Sequence, residues 1–456
     1  MEQFQAIVIG TGQAGPSLAA RLAASGLKTA IIEKGAFGGT CVNNGCTPTK
    51  ALVASAKAAF VARRAEDFGV LIDGNVRVDM EKVKARKDLL VQQSNLGLEK
   101  WLQNTANLTV FKGHARFTAA KTVEVNQTAL TADKIFINVG GRPFVPSGFE
   151  EAQFRTNIEM MEIDTVPEHL MVIGGSYIGL EFAQMYRRFG SKVTIIEMGD
   201  RLVAREDPEV STEIQRMLSD EGIEFRFNAT CLGGRGKEGN ITIEVDCEKG
   251  APQVSGSHLL IATGRRPNTD DLGLEHTQVT LDQRGFIEVD DFLKTSEEGI
   301  WALGDCNGRG AFTHTAYNDY EIVAANLLDD DPRKVSDRIA CYGLFTDPAL
   351  ARVGLTETQV RDQGIKALVA SRPMKRIARA KEKGETYGFM KFLVDADTKR
   401  FLGATILGIE GDEVIHSVLD TMYADAPYTV IQRAVHIHPT VAELIPTTLA
   451  ELKPLL

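Results

Sequence analysis

Ala6-Ile7-Val8-Ile9-Gly10-Thr11-Gly12-Gln13-Ala14-Gly15 is a short, wholly apolar run closed by three glycines. Four apolar residues stopped by glycine suit a strand buried on both faces, and the glycine spacing is that of a dinucleotide-binding turn. The glycines let the backbone turn tightly and approach a pyrophosphate, while the following helix points its N-terminus at the phosphates. Ser17 to Ser25 reads as that helix, rich in small residues. Lys28 to Ile32 reads as a second buried strand, and it ends in Glu33, an acid placed to accept from a ribose hydroxyl. A lone glycine pattern is weak, but strand, turn, helix and acid in this order make a βαβ unit. Gly10, Gly12, Gly15 and Glu33 are its binding residues.

The pattern returns further along. His169 to Ile173 is a strand, Gly174-Gly-Ser-Tyr-Ile-Gly179 a turn, Leu180 to Phe189 a helix, and Lys192 to Ile196 a strand ending in Glu197. Two units imply two nucleotides. Ser176 replaces the middle glycine of the second turn, which restricts how closely its backbone meets phosphate. Glu197 suits a free 2′-hydroxyl and repels a 2′-phosphate, favouring NADH over NADPH, with Arg201 near enough to qualify that preference. Ile135 to Pro143, through Gly140, closes the first unit, and Leu259 to Pro267, through Gly264, closes the second in the same manner. Pro146 and Pro167 bracket a connection between the two.

Between the units lies Gly38-Gly-Thr-Cys-Val-Asn-Asn-Gly-Cys-Thr-Pro-Thr-Lys50. In a regular helix Cys41 and Cys46 would have Cα atoms roughly 8 to 9 Å apart, beyond the disulfide limit of about 7 Å. The backbone must therefore be distorted, and Gly45 is the residue that permits it. Thr47 is expected as an N-cap with Pro48 at the first helical position, leaving Cys46 where free N–H groups favour a thiolate. A zinc site would want a second ligand pair, and Cys231, Cys247, Cys306 and Cys341 stand alone in sequence. Two unrelated thiols and a structural disulfide fit the nucleotide context less well than a redox-active pair does.

Ala51 to Arg64 and Val78 to Leu102 read as helices, and Leu108 to Val125 alternates as strands do. Gly299 to Asp305 is an apolar strand closing in Gly-Asp, where Asp305 either meets a ligand or caps the next segment. From about Lys334 the nucleotide signals stop. Tyr387 to Val394 and Phe401 to Leu407 form strand, turn, strand, and Asp412 to Tyr423 and Tyr428 to Ala434 read as helices, giving an α+β unit. It ends in His436-Ile-His438-Pro-Thr-Val-Ala-Glu443, where His438 and Glu443 could act as a base with its orienting acid or lie solvated at the surface.

A chain of 456 residues suggests about three domains. With 43% hydrophobic and 25% charged residues its composition is globular, and a net charge of −10 argues against a general nucleic-acid binder. No apolar run reaches membrane-spanning length, and the acidic Met-Glu-Gln start carries no leader signal. A cytoplasmic protein that engages neither membrane nor nucleic acid is expected.

Along essentially its whole length the sequence resembles the FAD-dependent pyridine nucleotide-disulfide oxidoreductases, the class of dihydrolipoamide dehydrogenase, glutathione reductase and mercuric reductase. The family pattern G-G-T-C-x-N-x-G-C-x-P-[ST]-K matches Gly38 to Lys50. The resemblance implies an α/β fold of two Rossmann-like dinucleotide-binding domains, for FAD and NAD, and a C-terminal α+β dimerisation domain. The FAD domain would span 1–145 and 264–334, the NAD(P)H domain 146–263 and the interface domain 335–456. FAD would be held by Gly10, Gly12, Gly15, Glu33, Gly39, Thr40, Lys50, Gly140 and Asp305, and NADH, or NADPH, by Gly174, Gly179, Glu197 and Gly264. Lys50 and Glu181 match the pair near the flavin N5. Cys46 would face the flavin as one half of a redox-active disulfide, with Cys41 facing substrate. His438 and Glu443 match a dyad delivered across a homodimer interface. No resident metal is implied.

Residues 190–194, 204–208, 345–348 and 377–380 resemble the mercuric-reductase-like branch. Mercuric reductases, however, carry a vicinal cysteine pair near the C-terminus, tyrosine where His438 stands and often an N-terminal metal-binding domain. The substrate expected is a small-molecule disulfide or a thiophilic metal ion, with dihydrolipoamide dehydrogenase as the alternative enzyme. A redox sensor of the same fold that does not turn over is the alternative of another class.

Overall fold

The computed structural model describes residues 1–247 and 250–455, apart from the side chain of Cys247, and the strand counts below hold among these residues. A five-stranded parallel sheet runs in the order Ile300–Ala302, Lys134–Ile137, Ala6–Ile9, Thr29–Glu33, Leu108–Lys112. Alternate residues feed opposite layers. Ile7, Ile9, Ile32, Ile135 and Ile137 pack into one core, and Ala6, Val8, Ile31 and Phe136 pack into another with Leu18 and Leu22. Both faces are covered, which is why the sequence shows apolar runs and no alternation.

The second parallel sheet, Glu224–Arg226, Lys192–Ile196, His169–Ile173, His258–Ile261, repeats this logic with four strands. Gly15 and Gly179 occupy equivalent places. A Cβ there would stand 2.1 Å from the Gly10 carbonyl oxygen and 2.0 Å from that of Gly174, so only glycine lets each helix approach its strand. The two closing segments, Gly141–Pro143 and Arg265–Pro267, pair with each other as antiparallel strands.

The C-terminal region is a six-stranded sheet in the order Cys341–Leu344, Leu350–Gly354, Phe401–Leu407, Phe389–Asp395, Ala367–Pro373, Lys453–Pro454. Its pairs are antiparallel.

Helix boundaries differ from expectation where capping decides them. The first helix is Ala14–Ala24, starting inside the glycine turn and ahead of Ser17. The long helix is Met80–Gln103, because the Asp79 carboxylate accepts from the Lys82 N–H and stops it there. The expected helix over 412–423 is two pieces, Gly411–Val414 and His416–Tyr423, and that over 428–434 shortens to Thr429–Gln432. Among the described residues no helix is long and apolar enough to cross a membrane.

Candidate active site

The cysteine stretch folds as two helices, Gly39–Asn43 and Cys46–Arg63. Gly45, and not Thr47, is the N-cap. The Thr49 N–H and hydroxyl both donate to the Gly45 carbonyl, at 3.0 and 2.6 Å, so the helical ladder starts there and Thr47 falls in its first turn. A Cβ on Gly45 would lie 2.7 Å from Thr40 O and 3.2 Å from Cys41 Cα. Only glycine lets the second helix fold back onto the first. Asn157, buried, fixes the break by donating to the Asn44 carbonyl at 2.8 Å.

The fold-back brings Cys41 and Cys46, both free thiols, together in the lining of one cavity. This placement polarises the pair. The hydrogen bond from Cys41, aided by the Thr313 hydroxyl and the Lys50 ammonium, lowers the Cys46 thiol to about 6 against the pull of burial. Cys41 is pushed up by that same bond and by burial. Lys50 lies one turn beyond Cys46, its Nζ 2.8 Å from Glu181 Oε2 and 4.4 Å above the Phe345 ring. Glu181 is buried and also accepts from the Phe345 N–H at 3.0 Å.

These groups open onto one cavity of about 840 Å³, large enough for a cofactor with substrate beside it. Gly10, Gly12, Glu33, Gly39, Thr40, Gly140 and Asp305 line it with Cys41, Cys46, Lys50 and Glu181. Glu33 accepts from the Thr11 N–H at 2.9 Å and hydroxyl at 2.5 Å, holding the glycine turn open. In the second unit Glu197 accepts from the N–H groups of Gly175, at 2.6 Å, and Gly199, at 2.8 Å. Burial raises the Asp305 carboxyl, with Arg265 Nε at 3.7 Å opposing it.

Gly15 sits behind the turn, and Gly174, Gly179, Glu197 and Gly264 lie outside the lining of this cavity. His438 and Glu443 lie outside it too. The His438 Nδ1 is 2.9 Å from Glu443 Oε2, yet the ring is 76% exposed. Glu443 itself is tied to its loop by its N–H donating to Thr440 Oγ1 at 3.2 Å.

Several lining residues are not among those the sequence singles out as site residues. Thr313 Oγ1 lies 3.1 Å from Cys46 Sγ. Tyr177, Phe312 and Tyr342 form an aromatic wall with ring centroids 5.7 to 6.2 Å apart. Asn138, whose amide donates to the Gly10 and Gly12 carbonyls at 3.3 and 3.1 Å, was detectable as a lone polar residue ending an apolar strand.

Residues 4–319 match the family described as pyridine nucleotide-disulphide oxidoreductase, and residues 341–449 match the dimerisation domain of that family. The chain belongs to the pyridine nucleotide-disulphide oxidoreductases. It is 34% identical to the probable pyridine nucleotide-disulfide oxidoreductase RclA of Escherichia coli, over 97% of this chain and 98% of the relative. It is 32% identical to the dihydrolipoyl dehydrogenase of Geobacillus stearothermophilus, over 97% and 94%. The mercuric reductase of Lysinibacillus sphaericus is also 32% identical, over 91% of this chain and 76% of that one. The solved Cu(II) complex of the HOCl-induced flavoprotein disulfide reductase RclA superposes with a TM-score of 0.90 at 33% identity, covering 99% of this chain and 100% of that one.

Membership of this family makes the chain a flavoprotein oxidoreductase that uses FAD and a pyridine nucleotide. The residues present fit FAD. A Cβ on Gly39 would come 2.7 Å from Gly12 Cα, and one on Gly140 would meet nothing within 4 Å. The backbone thus leaves a cradle from the glycine turn past Gly140 to Cys46.

Proposed function

We propose that the protein is an FAD-dependent NAD(P)H oxidoreductase, with NADH the favoured donor, that passes two electrons through Cys41 and Cys46 to a small disulfide or a thiophilic metal ion. The observation that carries this reading is the polarised thiol pair, with Cys46 at about 6 and Cys41 protonated, in one cavity with Lys50, Glu181 and the first glycine turn. Bound FAD would supply the relay between the nicotinamide and the thiols. Gly10, Gly12, Glu33, Gly140 and Asp305 would hold it, Lys50 and Glu181 would set the charge beside its reacting edge, and Cys46 would face it. Cys41 would attack a disulfide or ligate a soft ion, as thiolates do. The Escherichia coli relative was solved as a Cu(II) complex, which supports a metal-ion substrate.

Glu197, whose carboxylate faces the amides of its own turn, supports NADH as donor. The division into 1–145 with 264–334, 146–263 and 335–456 is supported by the strand Ile300–Ala302, which pairs with Lys134–Ile137 of the first sheet. His438 and Glu443, exposed and away from this chain's cavity, would complete the cavity of a second copy. The cytoplasm, where such thiols stay reduced, suits this chemistry.

Dihydrolipoamide dehydrogenase is the second reading, favoured by the 2.9 Å His438 to Glu443 contact, which suits proton transfer to a dithiol. The test is a panel of lipoamide, oxidised glutathione, Hg(II) and Cu(II), each with NADH and NADPH. NADH-driven reduction of a metal ion or a disulfide other than lipoamide is expected. Dominant lipoamide turnover selects the second reading, and no turnover with any acceptor overturns both.

A further inference from the structure

Thr313 opens the helix Thr313–Ala324, far from the cysteine stretch in sequence, and its hydroxyl lies 3.1 Å from Cys46 Sγ. The flanking backbone is clamped. His314 Nε2 lies 2.7 Å from the Cys341 carbonyl oxygen, and its ring stacks on Phe312 at 5.4 Å. Thr315 Oγ1 accepts from the Phe312 N–H at 3.1 Å and donates to its carbonyl at 2.8 Å. A donor fixed in advance stabilises charge without reorganising.

The other groups around Cys46 are less constant. The Lys50 ammonium is engaged by Glu181 at 2.8 Å, and the carboxylate acts on Cys46 in the opposite sense. The Cys41 thiol is the second neutral donor, but it disappears once Cys41 bonds to substrate. Thr313 then remains as the neutral donor to sulfur.

We propose that Thr313 is a further catalytic residue, whose hydroxyl donates to the Cys46 thiolate from the moment reduction forms it until the Cys41 to Cys46 bond is remade. This rests on the role given to Cys46 above. Reduction breaks the Cys41 to Cys46 bond with the hydride of NADH, that is, two electrons and one proton. The proton ends on Cys41 Sγ and the negative charge on Cys46 Sγ, where Thr313 Oγ1–H meets it.

The test uses the full-length, flavin-loaded protein, reduced with dithiothreitol and freed of it. The rate of Cys46 alkylation by iodoacetamide is followed against pH by mass spectrometry. Wild type is expected to show a midpoint near 6. Thr313→Val should raise it by about one pH unit, the size of one hydrogen bond to a charged group. Thr313→Ser, which keeps the hydroxyl, should restore it. An unshifted midpoint in Thr313→Val, or in Thr313→Ala should the valine variant not fold, overturns the proposal. So does a serine variant that shifts as far as valine. Loss of thiolate-to-flavin absorbance in reduced wild type would instead overturn the role of Cys46 toward the flavin, because alkylation reads the sulfur alone.

Discussion

Glu206 and Arg352 meet at 2.6 Å with side-chain exposures of 0% and 1%, joining the segment after the second nucleotide unit to the C-terminal sheet. Tyr342, paired directly across the sheet from Arg352, donates its hydroxyl to the same carboxylate at 2.5 Å. Removing one member of a buried ion pair costs up to about 3 to 5 kcal/mol, reduced here because Asp207 Oδ2, also buried, stays 3.4 Å from Arg352. Glu206→Gln should therefore lower the thermal midpoint by several degrees, while Glu206→Leu with Arg352→Leu should recover most of that loss. Equal midpoints for wild type and Glu206→Gln would contradict this account.

The polarised thiols make the stability of the reduced protein pH-dependent. Cys46 is held at about 6 in the folded state against an ordinary value of 9.0. Between these values the folded chain binds fewer protons than the unfolded chain, so its contribution is complete above about pH 9 and lost as pH falls through 6. Cys41, shifted upward, acts in the opposite sense above pH 9. The difference in thermal midpoint between reduced wild type and Cys46→Ser should grow in favour of wild type from pH 6 to 9. A flat difference would mean that Cys46 carries no charge there.

Both nucleotide units were legible because their chemistry is local: a strand, a glycine turn and a closing acid lie within 30 residues of each other. The cysteine pair was legible for the same reason, and the need for a distortion at Gly45 followed from helical geometry. The helix start was not. Thr47-Pro48 is a normal capping signal, but the fold-back onto Thr40 outweighs it. Thr313 and Tyr342 were invisible because each reaches the cavity from a helix or strand placed by long-range packing, with no motif around it.

Lys50 and Glu181 act on Cys46 with opposite signs, the ammonium lowering its pKa and the carboxylate raising it. Lys50→Met should move the Cys46 alkylation midpoint up, and Glu181→Gln should move it down. Both variants should also slow reduction by NADH, because each leaves its partner's charge unpaired beside the cavity. Shifts of the same sign in the two variants would show that packing, and not charge, sets the thiolate.

The dyad predicts complementation between subunits. His438 and Glu443 are held 2.9 Å apart but are not among the residues lining the cavity that contains Cys41 of the same chain. Apolar Val435 and Ile437, 101% and 81% exposed, precede His438 within the stretch matched by the dimerisation domain. If a second copy covers this surface, each active site draws its thiols from one subunit and its dyad from the other. Cys41→Ser and His438→Ala should then be inactive alone toward disulfides. Denatured together and refolded at equal amounts, they should recover about a quarter of wild-type activity. Half of the dimers are then mixed, and each has one intact site of two. A dyad acting within its own chain predicts no recovery, since every site would lack either Cys41 or His438.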